Sequence, residues 1–489
     1  MRMKSKIDVP DILLKFNEVF AEHGFKAYLV GGAVRDIFLG KEASDWDVTT
    51  NATPQDVMGM FKFVVPTGIE HGTVTVHFMK TEIEVTTFRT ESGYSDGRHP
   101  DSINYAATIE EDLARRDFTM NAIAVNLADG AVVDPYGGRE DIKSGVIRTV
   151  GDAHERFMED GLRPIRAVRF AGRLGFSIEK LTYLQLFEAD VQKKTASISV
   201  ERFRDELEKI VMSNKPSGAL RLLEETGMLA LFIPEFSVCR GCVQSDYRAF
   251  HKFDVMDHLL YACDGAAMYA GVVPADSDSD GAAGAVNPLA VRLAALFHDI
   301  GKPVVKKMLP QEVLDEHGNK TTVETITFYN HEAAGEKITC TIMNRLKFSN
   351  EMIDSVCHLV KEHMFHYEPS WTDAAVRRFI IRAKPEFLDA LFDVRLADMY
   401  GMYNEPVDIR YSESVKLLCE LKDRISAVMQ AQNALGLKDL AVNGRDLIAA
   451  GIPAGKELGR ILNDLLDCVI EDPNMNTKDK LMEVALKIR

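Results

Sequence analysis

A chain of 489 residues, 46% hydrophobic and 27% charged, is too long for a single core and has the composition of a globular protein of about three or four units. Its formal net charge of −16 argues against non-specific coating of nucleic acid and leaves room only for a localised basic face. No window approaches the roughly 18 consecutive apolar residues of a membrane helix, the opening "MRMKSKIDVPDILLKF" has no apolar signal core, and seven thinly spread cysteines read as reduced thiols, so a cytoplasmic protein that engages no membrane is expected.

Residues 1–150 mix strand-like runs ("KAYLVGG", "GTVTVHFM", "TEIEVTTFR", "VVDPYGG") with helix-like ones ("VRDIFLG", "FTMNAIAVN"), which is an α+β pattern. In "AYLVGGAVRDIFLGKEASDWDVTT" a hydrophobic strand runs into Gly31-Gly32, a helix carries Arg35, and a turn at Gly40 leads to a strand bearing Asp45 and Asp47. Paired glycines after a strand let backbone approach a phosphate, and the helix N-terminus that follows favours the anion. Residues i and i+2 of a strand share a face roughly 6–7 Å apart. Asp45 and Asp47 would therefore converge and repel unless a cation sat between them. Phosphate held by amides and Arg35, with a divalent cation on two carboxylates, is the equipment of phosphoryl transfer. "TEIEVTTFR" puts Glu82 and Glu84 on one strand face, where a third carboxylate could come from. "RRDFTMNAIA" sets Asp117 and Asn121 four residues apart, on one face of an expected helix.

From about residue 151 helical periodicities dominate. In "EDGLRPIRAVRFAGRLGF" the spacing predicts that Asp160 and Arg163 face the same way on a helix. Cytosine and adenine both present an exocyclic amine beside a bare ring nitrogen. A carboxylate can accept from the amine and a guanidinium can donate to the nitrogen, whereas uracil and guanine reverse both contacts. Arg163, Arg166, Arg169 and Arg173 repeat as a basic stripe expected to face an anion, the triphosphate first. Further on, "CRGC" (Cys239, Cys242) has no second pair at zinc spacing and reads as structural. "GVVPADSDSDGAAGAVNP" (271–288) reads as a flexible loop and "DEHGNKTTVETITFYNH" as a small hairpin. His298 and Asp299 are adjacent in "ALFHDIGKP", with His258 before them and His331, His363 and Asp398 after. Imidazoles with carboxylates suit a divalent metal. The tail reads as short amphipathic helices punctuated by Gly and Pro.

These stretches resemble a family. "GGAVRD" followed by the DxD pair, then "RRDFTMNAIA", "DPYGGREDI", "EDGLRPIRAVRFAGRLGF" and "ERFRDEL", is similar in order and spacing to the class II (bacterial-type) CCA-adding tRNA nucleotidyltransferases and their poly(A) polymerase relatives, within the DNA-polymerase-β-like nucleotidyltransferases. The resemblance implies an α+β multidomain chain. It would have a polymerase-β-like head (1–150) with a mixed sheet, an all-α neck (151–235), an HD-containing helical body (236–400) and a helical tail (401–489). It implies that Asp45 and Asp47 bind catalytic Mg²⁺ and that Glu84 is the third carboxylate. Gly32, Arg35, Arg116, Asp117, Asn121, Asp160, Arg163, Arg166 and Arg169 would bind the nucleotide. The loop at 91–105 would assist the switch from C to A addition. The expected substrates are CTP and ATP, and the expected partner is tRNA, reached in part by the tail.

His258, His298–Asp299 and Asp398 resemble the ligands of the HD superfamily of metal-dependent phosphohydrolases, with His331 and His363 as further ligands of a two-metal version. The metal expected there is a divalent ion of unspecified identity. Two alternatives stand beside CCA addition: an A-adding enzyme or poly(A) polymerase with the same motifs, and an HD phosphohydrolase whose second site is the main activity.

Overall fold

The structure is a computed structural model that describes residues 6–43, 45–92, 102–245, 252–269, 286–314, 320–406, 412–431 and 436–488. The centre of the 91–105 loop and most of the 271–288 loop lie outside these residues. The chain forms two compact units, 1–232 and 233–489. Among the described residues no helix is long and apolar enough to cross a membrane.

Unit 1 opens with α1 (Asp11–Glu22), β1 (Ala27–Val30), α2 (Gly31–Phe38), β2 (Trp46–Thr50), α3 (Pro54–Met60), β3 (Val64–Gly68), β4 (Thr73–Phe78), β5 (Thr81–Thr87), the hairpin β6 (Arg89–Ser92) and β7 (Ser102–Tyr105), α4 (Ile109–Ala114), β8 (Ala124–Asn126), β9 (Val132–Val133) and α5 (Gly138–Ser144). Seven of the strands form one mixed sheet in the order β3-β4-β5-β2-β1-β8-β9, with β2 parallel to β5 and β1 antiparallel to both its neighbours. Alternation makes the sheet two-faced. Val74, Val76, Ile83, Val85 and Val48 are buried, while Asp47 and Glu84 take the alternate positions. An aromatic cluster joins α1 to the sheet: Phe16 packs against Phe20, Phe61 and Phe78 with centroids 4.7–5.3 Å apart. Thr53 with Asp56 and Thr108 with Glu111 close capping boxes that start α3 and α4.

The rest of unit 1 is helical apart from the two-residue strands β10 (Val146–Ile147) and β11 (Ser177–Ile178): α6 (Ala153–Glu159), α7 (Arg163–Leu174), α8 (Lys180–Gln185), α9 (Ala189–Ala196), α10 (Val200–Val211), α11 (Pro216–Glu225) and α12 (Met228–Phe232). Phe118 meets Phe170 edge-on at 5.8 Å, fixing α7 against the segment after α4, and Phe203 of α10 stacks on Phe232 at 4.0 Å.

Unit 2 comprises α13 (Pro234–Ser237), α14 (Val255–Tyr269), α15 (Pro288–Phe297), α16 (Lys302–Val305), the hairpin β12 (Lys307–Leu314) and β13 (Lys320–Thr327), then α17 (His331–Arg345), α18 (Asn350–Glu362), α19 (Asp373–Ala383), α20 (Leu388–Tyr403), α21 (Glu413–Gln430), α22 (Gly444–Ala449), α23 (Lys456–Glu471) and α24 (Lys478–Lys487). Ala262, Ala266, Ala295 and Ala397 form a fully buried small-residue cluster, so α14, α15 and α20 approach closely. A separate apolar cluster around Leu447, Ile461, Leu465 and Leu481 holds the last helices. Arg377 of α19 donates to the Ile470 carbonyl near the end of α23 (2.7 Å).

Several expectations need correction. The hairpin's first strand is "KMLPQEVL", whose Pro310 hides it. Only its second strand comes from the stretch read as a hairpin. "FTMNAIAVN" is a single 3₁₀ turn (Thr119–Asn121) leading into β8, not an α-helix. The thiols are not all free: Cys340 and Cys357 are disulfide-bonded across the packed pair α17 and α18, with Cα atoms 5.9 Å apart, while Cys239 and Cys242 are buried and free.

Candidate active site and metal centre

The polar face of the unit 1 sheet opens into two clefts that share Asp47, Arg116, Asp117 and Arg166. Asp47 is the second residue of β2 and stands beside Glu84, its register partner on β5. Burial pushes the Asp47 carboxyl up from 3.8 to about 6, with Glu84 and Asp45 adding repulsion and Arg116 opposing it. Asp45 is exposed and lies just before the strand, not in it. This is the signature of carboxylates short of a cation, so the donor set suits a hard divalent ion. Gly31 is the reason β1 can turn directly into α2 here. Its φ of 72° is left-handed, and an added Cβ would lie 3.0 Å from an Asp47 carboxylate oxygen.

The smaller cleft, about 320 Å³, is lined by Gly31, Gly32, Arg35, Arg116, Asp117, Asn121, Arg166, Arg169, Phe170, Arg173 and Lys209, so cations outnumber carboxylates there. Asp117 and Asn121 do meet, but through the 3₁₀ turn: the Asn121 amide donates to Asp117 at 3.1 Å. Asn121 in turn accepts from Arg35 at 3.0 Å, and Asp117 accepts from Arg166 at 2.7 and 2.9 Å. Burial alone would raise the Asp117 pKa, but Arg166 and the Asn121 bond outweigh it and hold it at about 2. Asp117 thus serves to place two arginines. Arg35, Arg166 and Arg169 also surround the Phe170 ring, their guanidinium carbons 5.3, 5.4 and 4.1 Å from its centroid. The Arg116 Nε is buried with no hydrogen-bond partner among the described residues. The expected basic stripe is largely matched by protein carboxylates: Arg163 by Glu159, Arg166 by Asp117, and Arg169 by Glu206.

The larger cleft, about 610 Å³, adds Glu84, Asp160, Arg163 and Arg202. The expectation that Asp160 and Arg163 ride one helix face is wrong. Asp160 ends α6 in extended backbone and Arg163 starts α7, with Gly161 and Leu162 forming the break. Both still line the same cleft because the break turns the chain toward it. Arg202 of α10 grips Asp160 at 2.7 and 3.0 Å, and the Leu162 N–H donates to it at 2.9 Å. Arg163 also donates to the Arg115 and Arg156 carbonyls. Arg202, Lys209 and Phe170 are additions that motif reading did not single out. Arg202 and Lys209 could have been found as cations one to two turns apart on α10.

In unit 2, His258 (α14), His298 (end of α15), Asp299 and Asp398 (α20) form one buried cluster, and Asp299, His331 and His363 form a second. Asp299 belongs to both. Its Oδ2 is 3.2 and 3.3 Å from the Nε2 atoms of His258 and His298, and its Oδ1 is 3.1 and 3.7 Å from those of His331 and His363. His298, His331 and His363 each place Nδ1 2.7–2.8 Å from a carbonyl three residues earlier, which turns Nε2 inward. Gly301 permits this: a Cβ there would lie 2.2 Å from the His331 carbonyl oxygen. Burial alone would deprotonate His298, but Asp299 and Asp398 push its pKa up to about 10. Lys302 contacts Asp299 at 2.5 Å and Gln244 at 2.7 Å. Positive charge is therefore drawn to this spot, and neutral imidazoles with a two-sided carboxylate fit a pair of divalent ions.

The chain matches a family model described as the poly A polymerase head domain over residues 27–148. It also matches one for a probable RNA- and SrmB-binding site of polymerase A over 175–239, and one for a putative tRNA nucleotidyltransferase domain 2 over 321–485. CCA-adding enzymes of Leuconostoc mesenteroides and Geobacillus sp. are 48% and 47% identical over 216 and 217 residues. Those stretches cover 44% of this chain in each case, and 52% and 53% of the relatives. Over these stretches the chain is similar to CCA-adding enzymes and to the poly A polymerase head domain.

The chain spans about half the length of the curated relatives it matches. The Bacillus stearothermophilus CCA-adding enzyme, solved in complex with CTP, superposes with a TM-score of 0.67 at 27% identity, covering 98% of this chain and 96% of that one. The Thermotoga maritima family member solved with tRNA shares the fold at 19% identity and a TM-score of 0.55.

Proposed function

We propose that this chain adds CCA to tRNA 3′ ends from CTP and ATP without a nucleic-acid template. The observation that carries the reading is the arrangement in unit 1. The Asp47–Glu84 pair stands where a cation-rich cleft meets the cleft containing Asp160 and Arg163. Divalent cations on Asp45 and Asp47, with Glu84 beside them, would supply the charge that eases deprotonation of the 3′-hydroxyl and stabilises departing pyrophosphate. Arg35, Arg116, Arg166, Arg169, Arg173 and Lys209 hold the triphosphate, and Gly31 and Gly32 leave backbone room for it. Asp160 accepts from the exocyclic amine of cytosine or adenine while Arg163 donates to the adjacent ring nitrogen. The hydroxyl then attacks the α-phosphate in line. The names of the relatives favour CCA addition over A-only or poly(A) addition. Incubation with tRNA ending before CCA, and with tRNA ending in CC, tests it: CTP should extend the first and ATP the second.

A second activity is favoured by one observation, the two-sided placement of Asp299 between His258/His298 and His331/His363. We infer a divalent-metal phosphohydrolase site in unit 2, with Asp398 completing one half. Titration calorimetry with Mn²⁺ on the full chain and on Asp299→Ala tests this. Loss of about two bound ions in the variant is the expected result.

A further inference from the structure

We infer that one wall of the larger unit 1 cleft seats the 3′-terminal nucleotide of the acceptor RNA, and that the paired hydroxyls of Thr73 and Thr86 read its 2′-hydroxyl. The inference rests on the nucleotide-addition reading and names the acceptor's place in it. The incoming nucleotide, as proposed, uses Asp160, Arg163 and the cations of the smaller cleft. The larger cleft is also lined by His71, Thr73, Thr86 and Arg89, which that assignment leaves without a task. The sheet ties this wall to the catalytic carboxylates. Residues i and i+2 of a strand share a face roughly 6–7 Å apart, so Thr86 follows Glu84 on the polar face of β5. Thr73 is its register partner on β4. Their hydroxyls are 3.0 Å apart, and both residues are half-buried. The bond between them uses one of their two protons and leaves the other for a ligand. The wall also carries cationic groups for the phosphodiester that precedes the terminal nucleotide. Arg89 opens β6, and its guanidinium donates to the carbonyl of His71, the last residue of the 3₁₀ turn Ile69–His71. Gly72, left-handed at φ 74°, turns the chain from there into β4. One short turn thus presents His71 and Arg89 beside the Thr73–Thr86 pair. A wall of this kind reads sugar and phosphate and no base edge, which suits an acceptor end whose base changes as addition proceeds. The 2′-hydroxyl, both donor and acceptor, is what separates an RNA end from a DNA end.

The test uses the full chain with Mg²⁺ and CTP on two tRNAs that lack the last three nucleotides and differ only in their terminal sugar, ribose or 2′-deoxyribose. The parent should favour the ribose end about tenfold in kcat/KM, the effect of one well-made hydrogen bond. Thr73→Val and Thr86→Val keep the β-branched shape of a strand residue and remove one hydroxyl each. In each variant the preference should fall to about twofold or less, through loss on the ribose end. His71→Ala should raise KM for both tRNAs by a similar factor and keep the preference, because a phosphate contact is blind to the 2′-hydroxyl. A parent without the preference, or a preference that survives both valine variants, overturns the seat and leaves nucleotide addition standing. If the parent extends neither tRNA, the addition reading falls and the seat falls with it.

Discussion

Asp47 and Glu84 are register partners on the parallel strands β2 and β5, so two carboxylates point from one face of the sheet at one spot. The carboxyl of Asp47 is pushed from 3.8 to about 6, first by burial and then by Glu84 and Asp45. The folded chain therefore holds this proton more tightly than the unfolded chain. For this group stability is fully present below pH 3.8, falls as pH rises toward about 6, and is flat above. In chelator-treated protein, the stability difference between parent and Asp47→Asn should follow that curve in urea titrations from pH 3.5 to 7.5. Saturating Mg²⁺ should flatten it. A difference that does not vary with pH contradicts the shared-cation geometry.

Asp45→Ala and Asp47→Ala should each lower single-nucleotide addition at least about a hundredfold while circular dichroism stays unchanged, because each removes a cation ligand and no core packing. Glu84→Gln keeps the shape and removes the charge. It should lower the rate by a comparable factor if Glu84 is the third ligand. A Glu84→Gln enzyme with parental rates assigns that role elsewhere.

Phe170→Leu should raise KM for CTP and ATP about tenfold with a smaller change in kcat. The buried ring packs against the guanidinium groups of Arg35, Arg166 and Arg169 and so orders them. A kcat loss at unchanged KM would show that these arginines act only in the transition state.

Asp160→Ala should relax base choice. Uracil then loses one of its two mismatches, worth about 1–3 kcal/mol, so the CTP-over-UTP ratio in kcat/KM should fall about tenfold to a hundredfold. Arg202→Ala should move selectivity the same way by a smaller factor, since Arg202 holds Asp160 at 2.7 and 3.0 Å. Equal losses for all four nucleotides in both variants would place base reading on other residues.

The histidine–aspartate cluster of unit 2 shares no residue with the unit 1 clefts. His298→Ala and Asp299→Ala should therefore spare nucleotide addition and remove Mn²⁺-dependent hydrolysis of phosphoesters. Loss of addition in a variant that remains folded by circular dichroism would couple the two activities.

The sequence made the strand alternation, the Gly31–Gly32 entry into α2 and the likeness of the motifs legible because each is a local pattern. It misplaced what depends on chain breaks. The i,i+3 spacing of Asp160 and Arg163 suggested one helix, yet α6 ends at Asp160, Gly161 and Leu162 break the chain, and the cleft, not a helix face, reunites them. Asp117 and Asn121 similarly meet over a 3₁₀ turn. Residue type marked His258, His298, Asp299, His331, His363 and Asp398, but only the fold shows Asp299 using one oxygen on each side. The internal pairing of the arginine stripe was hidden because Glu206 lies on another helix. Pro310 disguised β12 because a two-stranded hairpin tolerates proline better than a central strand.

The most direct measurement of the central claim is electrophoretic analysis of tRNA lacking its last three nucleotides after incubation of the full chain with Mg²⁺ and CTP, ATP, UTP or GTP alone, then CTP with ATP. The account predicts extension by two nucleotides with CTP, completion to CCA with both, and little product with UTP or GTP. Asp47→Ala should give none of these products. Extension with ATP alone into a long homopolymer, or no extension of this tRNA by CTP, would contradict it.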